Sequence, residues 1–199
     1  MVCLSLSRQI AAGKIRNQRT MVQRNHVEPK PEVLRQLKKS ADRAEQSRSL
    51  ADLRGVEGYA ARLYFGEFGG MVKPEEEKEE GQFSFDFVER NRRPPRDPVN
   101  ALLSLAYSLL SKDLTIACYA VGFDPFLGLY HQPRLGRPAL ALDLMEPFRP
   151  LIADSAVLSA INTRMVTLKD FVVAGQGVSL TPAGRKAFFV RTSCEWIQW

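Results

Sequence analysis

The chain has 199 residues, 45% of them hydrophobic and 9% aromatic, and a formal net charge of +6. That is enough apolar material for one ordinary domain or two small ones, which excludes a wholly disordered chain. Cys3, Cys118 and Cys194 are odd in number and far apart, which argues against a disulfide framework and a CxxC-type zinc site and leaves reduced structural thiols.

The basic excess lies at the front. Residues 1–50 hold 11 Lys and Arg against 4 Asp and Glu, whereas residues 51–199 hold 17 against 18. Such a segment either attracts phosphate backbones through counterion release or forms a solvated helical face. Within it, Ser5 to Asn25 sets Arg8, Lys14, Arg16, Arg19 and Arg24 among Leu6, Ile10, Ile15 and Met21. This predicts an amphipathic helix broken near Gly13, followed by the turn-rich HVEPKP.

Helical periodicity resumes at Glu32 and runs to about Phe68, with a break near Ser47 to Ser49, where Ser49 can cap a second helix. Glu57 lies inside that second helix, with Leu53, Ala60, Ala61 and Tyr64 at helical spacing. Its carboxylate is therefore expected on or beside the apolar face. The charged KPEEEKEEG stretch, residues 73–81, reads as an exposed loop without assigned function. In QFSFDFVERNRRPPRD the alternation of Phe83, Phe85 and Phe87 is too short to establish a strand, and the double proline forces extended backbone.

Asp97 and Pro98 form a start signal, N-cap followed by proline at the first helical position. The helix they open is expected to run to about Val121 and to be centrally buried, since it is apolar on most sides. Asn100, Ser104, Ser108, Lys112 and Asp113 argue against a membrane span. With no signal-peptide pattern at the start, a cytoplasmic location and no membrane partner are expected. Gly122 ends the helix, and a turn-rich connection then carries His131. From Ala139 a helix is expected through Met165, with Asp143 and Glu146 one turn apart and Pro147 as a start or kink. A hairpin fits VVAGQGVSL, and Thr181 with Pro182 opens a last helix. The fold class is mainly α, a multi-helix domain with at most a small β hairpin near the C-terminus.

Glu57, His131 and Glu146 form a donor set suited to Mg²⁺ or Mn²⁺ rather than to structural zinc. A cation so held could polarise a phosphodiester and activate water or a 3′-hydroxyl. Their separations, 74 and 15 positions, make no local motif, so other roles stay open. Glu57 could pair with Arg54 or Arg62, His131 could be a packing residue, and Asp143 and Glu146 could cap a helix or pair with Arg149.

The segments AAGKIRNQRTMVQRN, LRGVEGYAARLYFGEF, RNRRPPRDPVNALLSLAYSLL, GFDPFLGLYHQPRLGRPALALDLMEPFRPLIAD and GVSLTPAGRKAF resemble, in that order, the CRISPR-associated integrase/endonuclease family. The resemblance covers most of the chain between Ser5 and Phe189. It implies a helical metal-dependent catalytic domain over residues 31–199, preceded by a basic linker or helix over residues 1–30. It also implies a chain truncated at both ends. The family's β-strand-rich first domain would precede residue 1, and TSCEWIQW would replace its helical continuation.

The implied metal ligands and catalytic residues are Glu57, His131 and Glu146, and Asp143 matches a further acidic position near the metal. The implied reaction is transesterification, in which the 3′-hydroxyl of a spacer strand attacks a phosphodiester at the CRISPR repeat boundary; branched DNA would also be cleaved. Lys14, Arg16, Arg19, Arg92, Arg93 and Arg96 are DNA-binding candidates. The implied partners are prespacer and repeat DNA, a second copy of the full-length form, and the small adaptation protein Cas2. A non-catalytic DNA-binding or assembly remnant is the alternative.

Overall fold

A computed structural model describes residues 2–73, 83–91 and 93–197, with side chains described from Cys3 to Val190 apart from the same gaps. The acidic run of residues 74–80, Arg92 and the side chains of the final TSCEWIQW segment therefore lie outside the described residues.

Among the described residues seven α-helices carry the fold: α1 Val2–Asn25, α2 Pro31–Gln46, α3 Leu50–Gly66, α4 Pro98–Ala120, α5 Ala139–Met145, α6 Ser155–Asn162 and α7 Pro182–Ile197. The one antiparallel hairpin among the described residues, β1 Phe171–Ala174 with β2 Gly177–Leu180, pairs Phe171 with Leu180. The mainly helical architecture with a small C-terminal hairpin is the one the periodicity predicts.

Local chemistry explains the helix starts. The Ser49 hydroxyl accepts from Asp52 N at 3.1 Å, and Asp97 accepts from Asn100 N at 2.8 Å with Pro98 behind it. Each side chain satisfies a donor that the first helical turn would otherwise leave bare. Thr181 does the same for Gly184 N at 3.1 Å, opening α7. Pro31 starts α2 without a side-chain cap.

Three sequence expectations are corrected. First, α1 does not break at Gly13. A mid-helix glycine costs only about 1 kcal/mol, and a Cβ here would lie 3.8 Å from the Pro147 ring, so helix and neighbouring chain meet at Gly13.

Second, the stretch from Ala139 to Met165 is not one helix. Pro147 and Pro150 remove two amide donors, and the chain answers with a break after Met145 and a wide π-helical turn over Arg149–Asp154 before α6.

Third, α4 is central only in part. Val99, Leu102, Leu103 and Ala106 are fully or almost fully buried, while Ile116 and Tyr119 are more than half exposed. By length and composition α4 could cross a membrane. Its N-terminal half instead packs in the protein core, against α5, α6, β2 and the π-helical turn.

The core runs from α1 through α4, with Ile15, Leu37, Leu53, Tyr64, Phe68, Leu102 and Leu103 inaccessible. The Phe83–Phe87 stretch is no strand but an aromatic strap: Phe87 lies 5.0 Å from the Phe68 ring and Phe85 5.9 Å from Phe171. It ties the N-terminal helices to the hairpin, and α1 packs against both α3 and the π-helical turn.

Candidate metal centre

Three elements converge at the end of this core. From α3 comes Glu57, with its side chain 22% exposed; the turn just after α5 supplies Glu146, 4% exposed; the α4–α5 connection supplies His131. The His131 ring Nε2 lies 4.0 Å from Glu146 Oε1. The ammonium of Lys14, from α1, stands between the carboxylates, bonded to Glu57 Oε1 and 2.6 Å from Glu146 Oε2.

The loop presents His131 in one orientation. Asp143 is completely buried, and one of its oxygens meets His131 Nδ1 at 2.6 Å. The same carboxylate accepts the backbone N–H groups of Leu129, Tyr130 and His131 at 2.5 to 2.9 Å. Burial pushes the Asp143 carboxyl up, but these hydrogen bonds prevail and hold it below the ordinary carboxylate range. Asp143 thereby fixes both the loop and the ring, and Nδ1 being engaged leaves Nε2 to face Glu146. Asp143, which the resemblance sets near the metal, turns its oxygens into the loop behind His131.

Glu146 is held from the other side by Arg149, whose Nη1 donates to Glu146 Oε1 at 2.7 Å. Burial raises the Glu146 carboxyl, yet the Lys14 and Arg149 cations overcome that and bring its pKa to about 2. Arg149 in turn stacks at 4.1 Å over the ring of Tyr107. The Tyr107 hydroxyl donates at 2.6 Å to the buried Asp154, which also accepts from Tyr64 at 2.8 Å. This network joins α3, α4 and the π-helical turn behind the site. Sequence reading left the Glu146–Arg149 pair open, and it is present here; it missed Asp154 and Tyr107, although a lone Asp after the apolar PLIA segment was the available signal.

The predicted DNA contacts fall in different places. Lys14 is 8% exposed and pairs with the Glu57 and Glu146 carboxylates, since the face of α1 that carries it packs on α3. Arg16 is exposed and pairs with Glu45 at 2.6 Å. Arg19 donates to Leu34 O at 3.2 Å, and Arg93 and Arg96 are exposed near the start of α4.

Among the described residues no three His, Cys, Asp or Glu side chains close at coordination distance by themselves; the Lys14 ammonium separates two of the three donors. The residues nevertheless suit a hard divalent cation. They offer two carboxylates and an imidazole nitrogen oriented from behind, and buried Glu146 Oε2 has an ion-pair partner but no directed hydrogen bond.

Fold and site together define a mainly helical domain with a small hairpin, built around a carboxylate–imidazole centre. The family model described as "CRISPR associated protein Cas1" matches residues 2–193. A Cas4 exonuclease/Cas1 endonuclease fusion from Geobacter sulfurreducens is 48% identical over 192 residues, 94% of this chain and 34% of the relative. A solved partial Cas6-RT-Cas1–Cas2 complex superposes with a TM-score of 0.85 at 29% identity, covering 97% of this chain and 57% of that one. A casposase bound to integration product superposes at 0.79 and 26% identity, over 96% of this chain and 52% of that one. The chain belongs to the Cas1 family of CRISPR-associated proteins, and it spans 34% of the length of that Geobacter relative and 47% of a Cas1 endonuclease from Thermus thermophilus.

Proposed function

We propose that this chain is the metal-dependent catalytic region of an endonuclease and integrase of CRISPR adaptation, using Mg²⁺ or Mn²⁺. The observation that carries the reading is His131 Nε2 facing Glu146 across 4.0 Å while Asp143 occupies Nδ1. Glu57, His131 and Glu146 would hold the cation. When bound, it supplies Lewis-acid stabilisation of the charge that grows on phosphodiester oxygens.

The protein's own residues do the rest. Asp143 fixes the imidazole, while Lys14 and Arg149 hold the Glu146 carboxyl well below the ordinary carboxylate range and so ionised near neutrality. The cleft before the site, lined by Arg54, Tyr130 and His131 among others, gives a phosphodiester a cationic approach. The reaction proposed is attack of a spacer strand's 3′-hydroxyl on a repeat phosphodiester: a new ester bond forms, the old one breaks, and the departing strand keeps a 3′-hydroxyl. Association with Cas2 is supported by the name of the superposing complex; spacer and repeat DNA, and dimerisation in the full-length form, are proposed partners on the family reading.

The test is cleavage and strand transfer on end-labelled branched DNA with Mn²⁺. Activity that disappears with chelator and in Glu57→Ala, while the circular dichroism of the variant stays native, supports the proposal. Turnover retained in Glu57→Ala contradicts it. An inactive chain that binds DNA in a salt-sensitive manner would favour the alternative, a DNA-binding remnant.

A further inference from the structure

Lys14 and Gln18 stand one turn apart on α1, where residues four positions apart share a face. Both line a small cavity of about 30 Å³ beside the metal centre, together with Glu57, Arg149 and Asp154. Gln18 is 2% exposed, and its Oε1 accepts no hydrogen bond from any described residue. A buried acceptor without a donor is costly, so its place next to a mobile cation calls for a reason.

Lys14 holds the position that a divalent cation needs. Its ammonium donates to Glu57 Oε1 and lies 2.6 Å from Glu146 Oε2, the carboxylates assigned above to the metal. Magnesium binds its oxygens at about 2.1 Å, so a metal on both carboxylates would press against the ammonium, two positive charges in a poorly solvated place. Arg149 holds the other Glu146 oxygen at 2.7 Å, so the ammonium can leave without stripping that carboxylate of its partners. The flexible four-carbon lysine stem lets Nζ swing while α1 stays in place. The cavity has room for it: a water needs roughly 10–15 Å³, and an ammonium group is of similar size.

We infer that Gln18 receives the Lys14 ammonium: when a divalent cation binds Glu57 and Glu146, Nζ turns out from between them and donates to Gln18 Oε1. The inference rests on the metal reading above and adds Gln18 to it as a positioning residue. Asp154, the other acceptor on the cavity, already accepts from Tyr64 and Tyr107, which leaves Gln18 Oε1 as the open one. The exchange favours divalent ions, because a monovalent ion brings no more charge than the tethered ammonium that it must displace.

The experiment is a double-mutant cycle on the full chain, with Mn²⁺ affinity read by titration calorimetry. Gln18→Leu should bind Mn²⁺ about 10–100-fold more weakly, the scale of one hydrogen bond to a charged group. Lys14→Met should bind it about tenfold or more tightly, because its unpaired carboxylates have no ammonium to exchange. Gln18→Leu added to Lys14→Met should change nothing further. The Lys14 ammonium resonance, assigned by its loss in Lys14→Met, should shift on addition of Mg²⁺ to the wild type.

In chelator Gln18→Leu should melt no lower than the wild type, since the acceptor removed has no hydrogen bond to lose; Gln18→Met, unbranched and close in volume, repeats the cycle if the leucine variant does not fold. Undiminished Mn²⁺ affinity in the Gln18 variant overturns the inference. So does an equal loss in the Lys14→Met background, which would mark a role in packing alone, or an ammonium resonance indifferent to Mg²⁺. A wild type that binds no Mn²⁺, or binds it equally well as His131→Ala, overturns the metal reading itself.

Discussion

Lys14 and Asp143 show how much of this site is set by groups that are not themselves donors to a cation. The Lys14 ammonium separates two carboxylates on α3 and after α5. Lys14→Met leaves those charges facing one another largely out of water, and breaking a buried pair from one side costs about 3–5 kcal/mol. The melting midpoint of Lys14→Met should fall, and Mn²⁺ should restore more of it than it adds to the wild type; equal shifts in both proteins would refute the account of the pair. Asp143→Asn keeps the volume but weakens the grip on His131 Nδ1. Mn²⁺ affinity should drop by about 10–100-fold, the usual scale for losing a residue that orients a histidine ligand, as measured by titration calorimetry. At this scale the sequence exposed donor types and little else. The identities of Glu57, His131 and Glu146 pointed to hard-metal chemistry, and family resemblance set them apart from capping and ion-pair roles. Lys14 read as a phosphate contact because periodicity shows which residues share a helix face but not which carboxylate, 43 positions away, that face will meet.

Among the elements, the capped helices were the most legible. Ser49 and Asp97 signal their helices through side-chain chemistry that acts within three residues, so no tertiary information is needed. Asp97→Ala should cost about 1–2 kcal/mol in urea unfolding, the upper part of the range for a lost cap, because Asp97 also accepts from the Asn91 and Asn100 side chains at 3.3 and 2.6 Å. A change below a few tenths would contradict that assignment. Signals that depend on a neighbour misled: Gly13 reads as a break locally but is the contact point with Pro147, and the paired prolines 147 and 150 re-form the chain as a π-helical turn rather than one kinked helix. The α4–α5 connection is similarly constrained. A Cβ on Gly128 would lie 2.6 Å from both Ala139 Cβ and His131 O. Gly128→Ala should therefore displace His131 and reduce Mn²⁺ affinity even where the overall helical content is retained.

For the whole molecule, the helical class follows from 3.6-residue periodicity, and the basic front segment from composition. The depth of the site does not, because the network from Glu146 through Arg149 and Tyr107 to Asp154 joins residues that no local pattern connects. That network gives stability a pH signature. Burial raises the Asp154 carboxyl above its ordinary value, an effect only partly opposed by hydrogen bonds from Tyr107 and Tyr64. A raised acid is favoured protonated in the folded state. Its contribution is thus full below the unfolded pKa of about 3.9 and is lost as pH rises through the folded value. Asp154→Asn should gain stability relative to the wild type as pH rises from about 4 toward neutrality, and a difference in urea unfolding free energy that is flat with pH would contradict this. The central claim is that Glu57, His131 and Glu146 form one metal centre, and Mn²⁺ bound to the chain tests it by pulsed electron paramagnetic resonance. The account predicts one Mn²⁺ per chain with a directly coordinated imidazole ¹⁴N, a coupling that vanishes in His131→Ala. Stoichiometric Mn²⁺ without that nitrogen, in a folded wild-type chain, would contradict it.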